Sequence, residues 1–419
     1  MDNKPSTRYH PFPTRIRNLY ARGQNLIGRA RVELSEQGLI AEARRLSGLH
    51  DFGDESFLPG LRALLYALNT EAELNPFGRL AARKRIIGSL KNLLWANACF
   101  TAHPEILQRQ ITAPIIIVGP HRSGTTRLHR MLSTDSRLQH LKTWEGFNPA
   151  PRMGSTDLGW DTRRAEVEQA LQAVGRLYPG VFAAHPMEAD LAEEENLLVN
   201  HCFSGFSPLG LYNIPSYYRW FVDHDRTDAY RMMAKLLKLI SWSRGDAENK
   251  RWVLKNPQYM LDLDVVLKVF PDAKLVFTHR DPLKTTGSLM SLMWLYAVQH
   301  TDRPCRARIR DVWLDFCERS GQRCIEMRRN IPSTQQLDVY YHEVGRDWRE
   351  VMQRIYDFSG LDFTLDVDAA MDAWLHQSKQ NQEHGNHRYA LDDFGLTQQE
   401  VDSRMMFVRE KYAIPYEKE

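Results

Sequence analysis

The spacing of apolar positions changes character after about residue 110. Before that point, apolar residues such as Ile16, Leu19 and Leu90 recur at loosely helical spacing. This pattern predicts an all-helical N-terminal subdomain over residues 1–110. A second domain, of a different class, is predicted over residues 111–419.

The second domain begins with a short apolar run. Residues 114–118, PIIIV, are typical of a strand buried on both faces, and the run leads through residues 119–126 into a helical pattern. Further strands are predicted at 252–254 and 274–278, and residues 157–250 are predicted as a helical insertion with an aromatic-rich middle. Strands that alternate with helices predict an α/β fold with a central parallel sheet flanked by helices.

Composition excludes several classes of protein. The 419 residues include 55 Lys and Arg against 52 Asp and Glu, a net charge of +3, which argues against a general nucleic-acid binder. The five cysteines form no CxxC pair, which argues against a disulfide framework and a Cys-rich zinc site. No apolar run approaches the length of a transmembrane helix, and the start lacks an apolar signal region, so a cytoplasmic location is expected.

Five arginines near the start form a basic stretch: Arg15, Arg17, Arg22, Arg29 and Arg31. Such a stretch is compatible with an acidic membrane surface or with a solvated helix face. The solvated face is the expected outcome.

The loop Gly119-Pro-His-Arg-Ser-Gly-Thr-Thr126 has the GxxxxG frame of a P-loop. Glycines let successive N–H groups point inward, and the following helix adds its positive end, so the loop predicts a phosphate or sulfate site. Thr125 stands where a nucleotide triphosphatase has lysine, and no strand ends in an evident Mg²⁺ carboxylate. Binding of a metal-chelated triphosphate, as in a kinase-like phosphotransferase, is therefore the weaker alternative.

A second anion site is predicted after the third strand. Arg280 follows this strand directly, and Ser288 lies on the helix that Pro282 opens. Ligands gather at the carboxyl ends of parallel strands, where an arginine and a hydroxyl can clamp a phosphate. The alternative is a structural pair between Arg280 and Asp281.

Several segments together resemble one known family. They are GLHDFGDESFLPGL, PIIIVGPHRSGTTRLHRML, TWEGFNPAPR, RWVLKNPQYMLDLDVVLKVFPDAKLVFTHRDPLKTTGSLMSL and HRYALDDFGL, and they span about residues 48–410. The chain resembles the sulfotransferases that use 3′-phosphoadenylyl sulfate (PAPS), in particular their large bacterial branch. The resemblance implies a parallel sheet related to that of P-loop kinases, PAPS as co-substrate and no metal.

The resemblance also implies where the donor binds. Arg280 and Ser288 would hold its 3′-phosphate, and Arg388, in a C-terminal segment that closes over the donor, is a further candidate. The 5′-phosphosulfate would be held by the loop residues Arg122, Ser123, Gly124, Thr125 and Thr126.

Sulfuryl transfer needs cations near the transferring group and a base for the acceptor proton. Arg122 is one predicted cation, and the resemblance implies Lys255 as the second, with a surface lysine as its alternative. Where relatives carry a histidine near this lysine, the chain has Pro257 or Tyr259. A tyrosine with an ordinary pKa is a poor base.

Two other residues are therefore the candidate bases. Glu145, in TWEGFNP, resembles a catalytic glutamate of some bacterial members, and His185 has a side chain suited to proton transfer. Glu188 and the run Glu193–Glu195 are further options, although we expect the run to be a solvated acidic helix face.

The predicted function is transfer of a sulfuryl group from PAPS to a hydroxyl, less readily an amine, of a small hydrophobic or aromatic molecule. The acceptor pocket would draw on the aromatic middle of the insertion and on Met290, Met293 and Trp294, unless these side chains belong to the core. A catalytically inactive nucleotide-binding protein of the same fold is a further alternative. No nucleic-acid partner is expected, and a homo-oligomer is left open.

Overall fold

The computed structural model describes residues 12–26, 32–152, 162–247, 250–380 and 390–417. Within them, five parallel strands form one sheet in the order β2-β3-β1-β4-β5. The strands are β1 (Ile115–Val118), β2 (Leu138–His140), β3 (Arg251–Lys255), β4 (Lys274–His279) and β5 (Gln336–Tyr340). The predicted α/β class with a central parallel sheet is confirmed.

Helices surround the sheet. Those before β1 are α1 (Phe12–Leu26), α2 (Glu36–Ser47), α3 (Leu58–Thr70), α4 (Pro76–Ala102) and α5 (Glu105–Gln108). Those between β1 and β3 are α6 (Thr125–Leu132), α7 (Thr143–Phe147), α8 (Thr162–Leu177), α9 (Pro179–Ala184), α10 (Asn196–His201), α11 (Ser207–Leu211), α12 (Pro215–Asp223) and α13 (Thr227–Arg244). Those after β3 are α14 (Leu263–Val269), α15 (Pro282–His300), α16 (Arg306–Arg328), α17 (Tyr341–Arg346), α18 (Trp348–Ser359), α19 (Leu365–Gln380) and α20 (Gln398–Lys411).

The central strand β1 is buried on both faces, as its continuous apolar run predicts. Side chains alternate across a strand, so Ile116 and Val118 join one hydrophobic core while Ile115 and Ile117 join another on the opposite face. The loop that follows β1 therefore starts from a rigid, fully packed strand.

The N-terminal helices share the first of these cores with the sheet. Buried side chains of α2, α3 and α4, such as Leu39, Leu61 and Leu90, lie in the same cluster as Ile116 of β1 and Leu254 of β3. The division of the chain at residue 110 stays a prediction. None of the described helices has both the length and the apolar character needed to cross a bilayer.

Candidate active site

The loop of residues 119–126 lies at the carboxyl end of β1, between the ends of β3 and β4. Its glycines have no room for a side chain: a Cβ on Gly119 would lie 1.9 Å from Thr278 Oγ1, and Gly124 has φ +88° with Tyr341 against it. Ser123 Oγ lies 2.7 Å from Thr278 Oγ1 and donates to Pro120 O. The loop is thus fixed where α6 begins, and the first N–H groups of this helix have no partner within the helix.

Arg122 joins the loop to the end of β4. Its own backbone has φ +68°, a conformation that is costly for a residue with a side chain. Arg122 Nε donates to Ser288 Oγ of α15 at 3.0 Å, and Arg280 Nη1 donates to Arg122 O at 2.8 Å. The structure therefore brings together three residues that the sequence assigned to two separate anion sites.

The guanidinium of Arg280 lies over the Tyr341 ring, 3.8 Å from its centre. Its Nε and Nη2 donate to the two carboxylate oxygens of Glu417 at 2.9 and 3.0 Å. Asp281 is not the partner of Arg280: its side chain caps α15 at Leu283 N and accepts from Arg409 at 2.7 Å. The structural pair between Arg280 and Asp281 is therefore absent.

Lys255, the last residue of β3, reaches the loop from the other side. Its side chain is buried, and Nζ donates to Thr126 Oγ1 at 3.2 Å and to Glu194 Oε1 at 2.5 Å. A surface lysine is thus excluded. The strand end places an ammonium group beside the second threonine of the loop.

The acidic run beside Lys255 is not a solvated helix face, so that expectation is wrong. Glu193 and Glu195 are buried, and Glu195 Oε2 accepts from Lys255 N at 2.7 Å and from Tyr259 OH at 2.9 Å. Burial raises the pKa of Glu195 to about 8, partly offset by these two hydrogen bonds. Tyr259 therefore acts as a hydrogen-bond donor to a buried carboxyl group.

His185 lies at the C-terminal end of α9, and its Nε2 is 3.3 Å from Glu193 Oε2. Burial alone would raise the pKa of Glu193, but the nearby His185 and Lys255 hold this pKa well below its usual range. Glu193 is therefore a buried anion paired with an imidazole.

Glu145 makes different contacts. At the start of α7, its Oε2 accepts from Lys142 N at 2.9 Å, and its Oε1 accepts from Arg244 Nε at 2.6 Å. A second bond from Arg244 completes a two-pronged ion pair. Both carboxylate oxygens are thus engaged in holding α7 against α13.

His121, in the middle of the loop, is a residue that sequence reasoning missed. Its ring packs edge-on against Phe206 and Trp313, and its Nε2 has no hydrogen-bond partner among the described residues. Burial, and then the nearby Lys255, Arg122 and His185, lower the pKa of His121 to about 3. The ring is thus neutral and lies among aromatic side chains, with the cations Lys255 and Arg122 nearby.

Two further predictions concern Arg388 and the acceptor pocket. Arg388 lies outside the described residues. Much of the aromatic middle of the insertion is core, since six of its rings are buried, and Met290 and Met293 are buried as well. The six are Phe203, Phe206, Tyr212, Tyr217, Tyr218 and Phe221.

Comparison with known proteins defines the class of protein to which this fold and this loop belong. The model of the Sulfotransferase family matches residues 114–365, more than half of the chain. The chain therefore belongs to the sulfotransferase family.

Two solved structures are similar over most of the chain. Sulfotransferase STF1 from Mycobacterium tuberculosis H37Rv is 30% identical, with a TM-score of 0.76 over 88% of this chain and 98% of that one. Sulfotransferase STF9 from Mycobacterium avium is 26% identical, with a TM-score of 0.82 over 92% of this chain and 99% of that one.

A curated relative is Omega-hydroxy-beta-dihydromenaquinone-9 sulfotransferase Stf3 of Mycobacterium bovis. It is 24% identical over 260 residues, which are 59% of this chain and 63% of the relative. The match thus spans less than two thirds of that protein.

Proposed function

We propose that the protein transfers a sulfuryl group from PAPS to the hydroxyl of a hydrophobic small molecule. The observation that carries this proposal is the position of Arg122, whose side chain contacts Ser288 and whose carbonyl contacts Arg280. Four residues further along the same loop, Thr126 contacts Lys255. The groups proposed to bind anions thus lie at Arg122, in the middle of the loop, and at Thr126, at its end. This separation supports a donor that carries an anionic group at each end.

The residues present fit such a donor. The loop of residues 119–126 and the start of α6 would hold the 5′-phosphosulfate through Ser123, Thr125, Thr126 and backbone N–H groups, with Gly124 giving the close approach. Arg280 and Ser288 would hold the 3′-phosphate. The strands β1 and β4 are paired and largely buried, so they would hold these two groups at a fixed separation.

Lys255 and Arg122 supply the positive charge that the reaction needs. The bond from sulfur to the bridging oxygen of the 5′-phosphate breaks while the bond from sulfur to the acceptor oxygen forms. Charge builds up on the departing phosphate and on the sulfuryl oxygens, and cations fixed in advance stabilise it. Lys255 suits this role because its ammonium is held beside Thr126 by Glu194.

We propose His185 as the base. In this assignment the Nε2–H group of His185 donates to Glu193. The other ring nitrogen, Nδ1, can then take the proton from the hydroxyl of the acceptor molecule. The buried Glu193 anion then stabilises the imidazolium that forms. For Glu145 we propose a positioning role, because Arg244 and Lys142 already engage its carboxylate.

The acceptor class is proposed by comparison. The name of the relative Stf3 gives an ω-hydroxylated dihydromenaquinone as its substrate, which is a lipid with a terminal hydroxyl. We propose an acceptor of the same chemical class, a hydroxyl on an extended apolar molecule, and leave its exact structure open.

Two measurements test the function. Calorimetric titration should show that the desulfated donor PAP binds more tightly than ATP with Mg²⁺; the reverse order would favour a kinase-like phosphotransferase. With donor labelled in the sulfuryl group, label should pass to hydroxylated isoprenoid lipids or phenols. PAP binding with no transfer to any member of such a panel would favour a catalytically inactive nucleotide-binding protein.

A further inference from the structure

Helix α1 packs on the protein with its polar side. Thr14 and Asn18 are buried, Thr14 Oγ1 lies 2.9 Å from Tyr178 OH, and Asn18 Oδ1 accepts from Phe77 N at 2.9 Å. An amphipathic helix on a globular protein normally does the opposite and buries its apolar side. The orientation of α1 is therefore inverted.

The apolar side of α1 faces outward. Phe12 is 73% exposed, Ile16 52%, Leu19 73% and Tyr20 71%. At about 100° per residue, these four side chains fall in one continuous stripe along the helix. Single exposed apolar residues are ordinary on a protein surface, but a continuous stripe on one helix marks an interaction site.

The charge of α1 indicates what covers the stripe. All three charged residues of the helix are arginines: Arg15, Arg17 and Arg22. By the same helical spacing, Arg15 and Arg22 lie along one side of the stripe, and both are exposed. Arg22 also forms an ion pair with Asp302 at 3.2 Å. An apolar stripe bordered by arginines matches an anionic bilayer surface, with acyl chains below and phosphate groups beside them.

We propose that α1 lies in the surface of an anionic membrane, with Phe12, Ile16, Leu19 and Tyr20 inserted among the lipids. The sequence alone favoured a solvated helix face for the basic stretch, of which Arg29 and Arg31 lie outside the described residues. What changes the interpretation is that the face turned to solvent is apolar, a property that spacing alone does not reveal.

The position of α1 relates this surface to the proposed site. Tyr178, which contacts Thr14 of α1, directly precedes α9, and His185 directly follows α9. The six residues of α9 span about 9 Å. A docked α1 would thus bring the membrane close to the proposed base and to a lipid acceptor. This consequence rests on the proposed function, whereas the docking itself does not.

Vesicle co-sedimentation tests the docking. The full chain should sediment with phosphatidylcholine vesicles that contain about one third phosphatidylglycerol, and far less with pure phosphatidylcholine or at high salt. The variant Ile16→Asp/Leu19→Asp should lose at least about tenfold in vesicle affinity. Arg15→Gln should lose less, and only with the anionic vesicles.

The matched control is Leu365→Asp, which changes an 87% exposed leucine on α19. This variant should sediment like the unaltered protein, and all variants should bind PAP equally, which separates docking from the proposed function. Failure of the unaltered protein to sediment, or equal sedimentation of Ile16→Asp/Leu19→Asp, would overturn the proposal. A dimer in solution that this double variant makes monomeric would assign the stripe to a second copy of the chain instead.

Discussion

The carboxylate of Glu417 accepts two hydrogen bonds from the guanidinium of Arg280, at 2.9 and 3.0 Å. Asp281 fixes this arrangement, because one of its oxygens accepts from Glu417 N and the other from Arg409. Arg280 is the group proposed to bind the 3′-phosphate of the donor. A carboxylate therefore occupies the Nε/Nη2 edge of Arg280, and a phosphate that binds through this edge would displace it.

Glu417→Gln should accordingly raise the affinity for PAP. Removal of the competing charge leaves the arginine more available, and a partly exposed ion pair of this kind corresponds to about a threefold change in affinity. Calorimetry with PAP measures the effect. Glu410→Gln, an exposed glutamate on α20, is the matched control and should leave the affinity unchanged. Equal or weaker binding by Glu417→Gln would contradict competition at Arg280.

Arg280→Ala should weaken PAP binding by about 10- to 100-fold, the range for loss of a charge-assisted hydrogen bond. The affinity for adenosine 5′-monophosphate, which lacks the 3′-phosphate, should change little. This second ligand is the control for the loop, since Arg280 also donates to Arg122 O. An equal loss of affinity for both ligands would contradict the proposal that Arg280 binds the 3′-phosphate.

The centre of the fold was predictable and its edges were not. The strand β1 and parts of β3 and β4 are buried on both faces, so their apolar runs stand out in the sequence. The outer strands were missed: β2 has only three residues, and β5, QLDVY, is partly exposed and carries Gln336 and Asp338. An edge strand with polar side chains has no distinct pattern of its own.

The same limit applies to the site. The loop around Arg122 could be predicted as an anion site because the residues that suggest this chemistry are eight consecutive ones. The contact of Glu195 with Lys255 spans 60 positions, and that of Glu417 with Arg280 spans 137. Pairings of this kind depend on the tertiary fold, so spacing along the chain could not reveal them.

Lys255→Met should lower kcat by about 100-fold or more, because the variant lacks the cation that is proposed to lie beside the transferring group. The variant should also be less stable, since Glu194 loses its partner. Adding Glu194→Gln should restore thermal stability but not kcat. Recovery of activity in the double variant would show that Lys255 is needed only for structure.

His185→Gln should lower kcat by about 100- to 10,000-fold, the usual contribution of a general base, and leave PAP affinity unchanged. His376→Gln, a change at an exposed histidine of α19, is the control and should retain full turnover. Full turnover in His185→Gln would exclude this residue as the base.

Glu145→Gln should affect stability and not turnover, in contrast to His185→Gln. Its melting temperature should fall, and its kcat should stay within a few-fold of that of the unaltered protein. The reason is that the partly buried Arg244 loses its closer ionic partner and keeps only Asp246, while no group near the loop changes. A stable Glu145→Gln protein without turnover would return Glu145 to the role of base.

The raised pKa of Glu195 predicts how the stability of the protein depends on pH. Burial raises its pKa to about 8, against 4.5 in an unfolded chain. Between these values the folded protein keeps a proton on Glu195 that the unfolded chain has released. The contribution of this proton to the free energy of unfolding is therefore complete below about pH 4.5 and is lost as the pH rises through 8. The slope reaches about 1.4 kcal/mol per pH unit at most. Glu195→Gln has no such proton to lose, so urea unfolding from pH 5 to 8 should show its stability rising steadily relative to the unaltered protein. A difference between the two proteins that stays constant over this range would show that Glu195 is already ionised in the folded state.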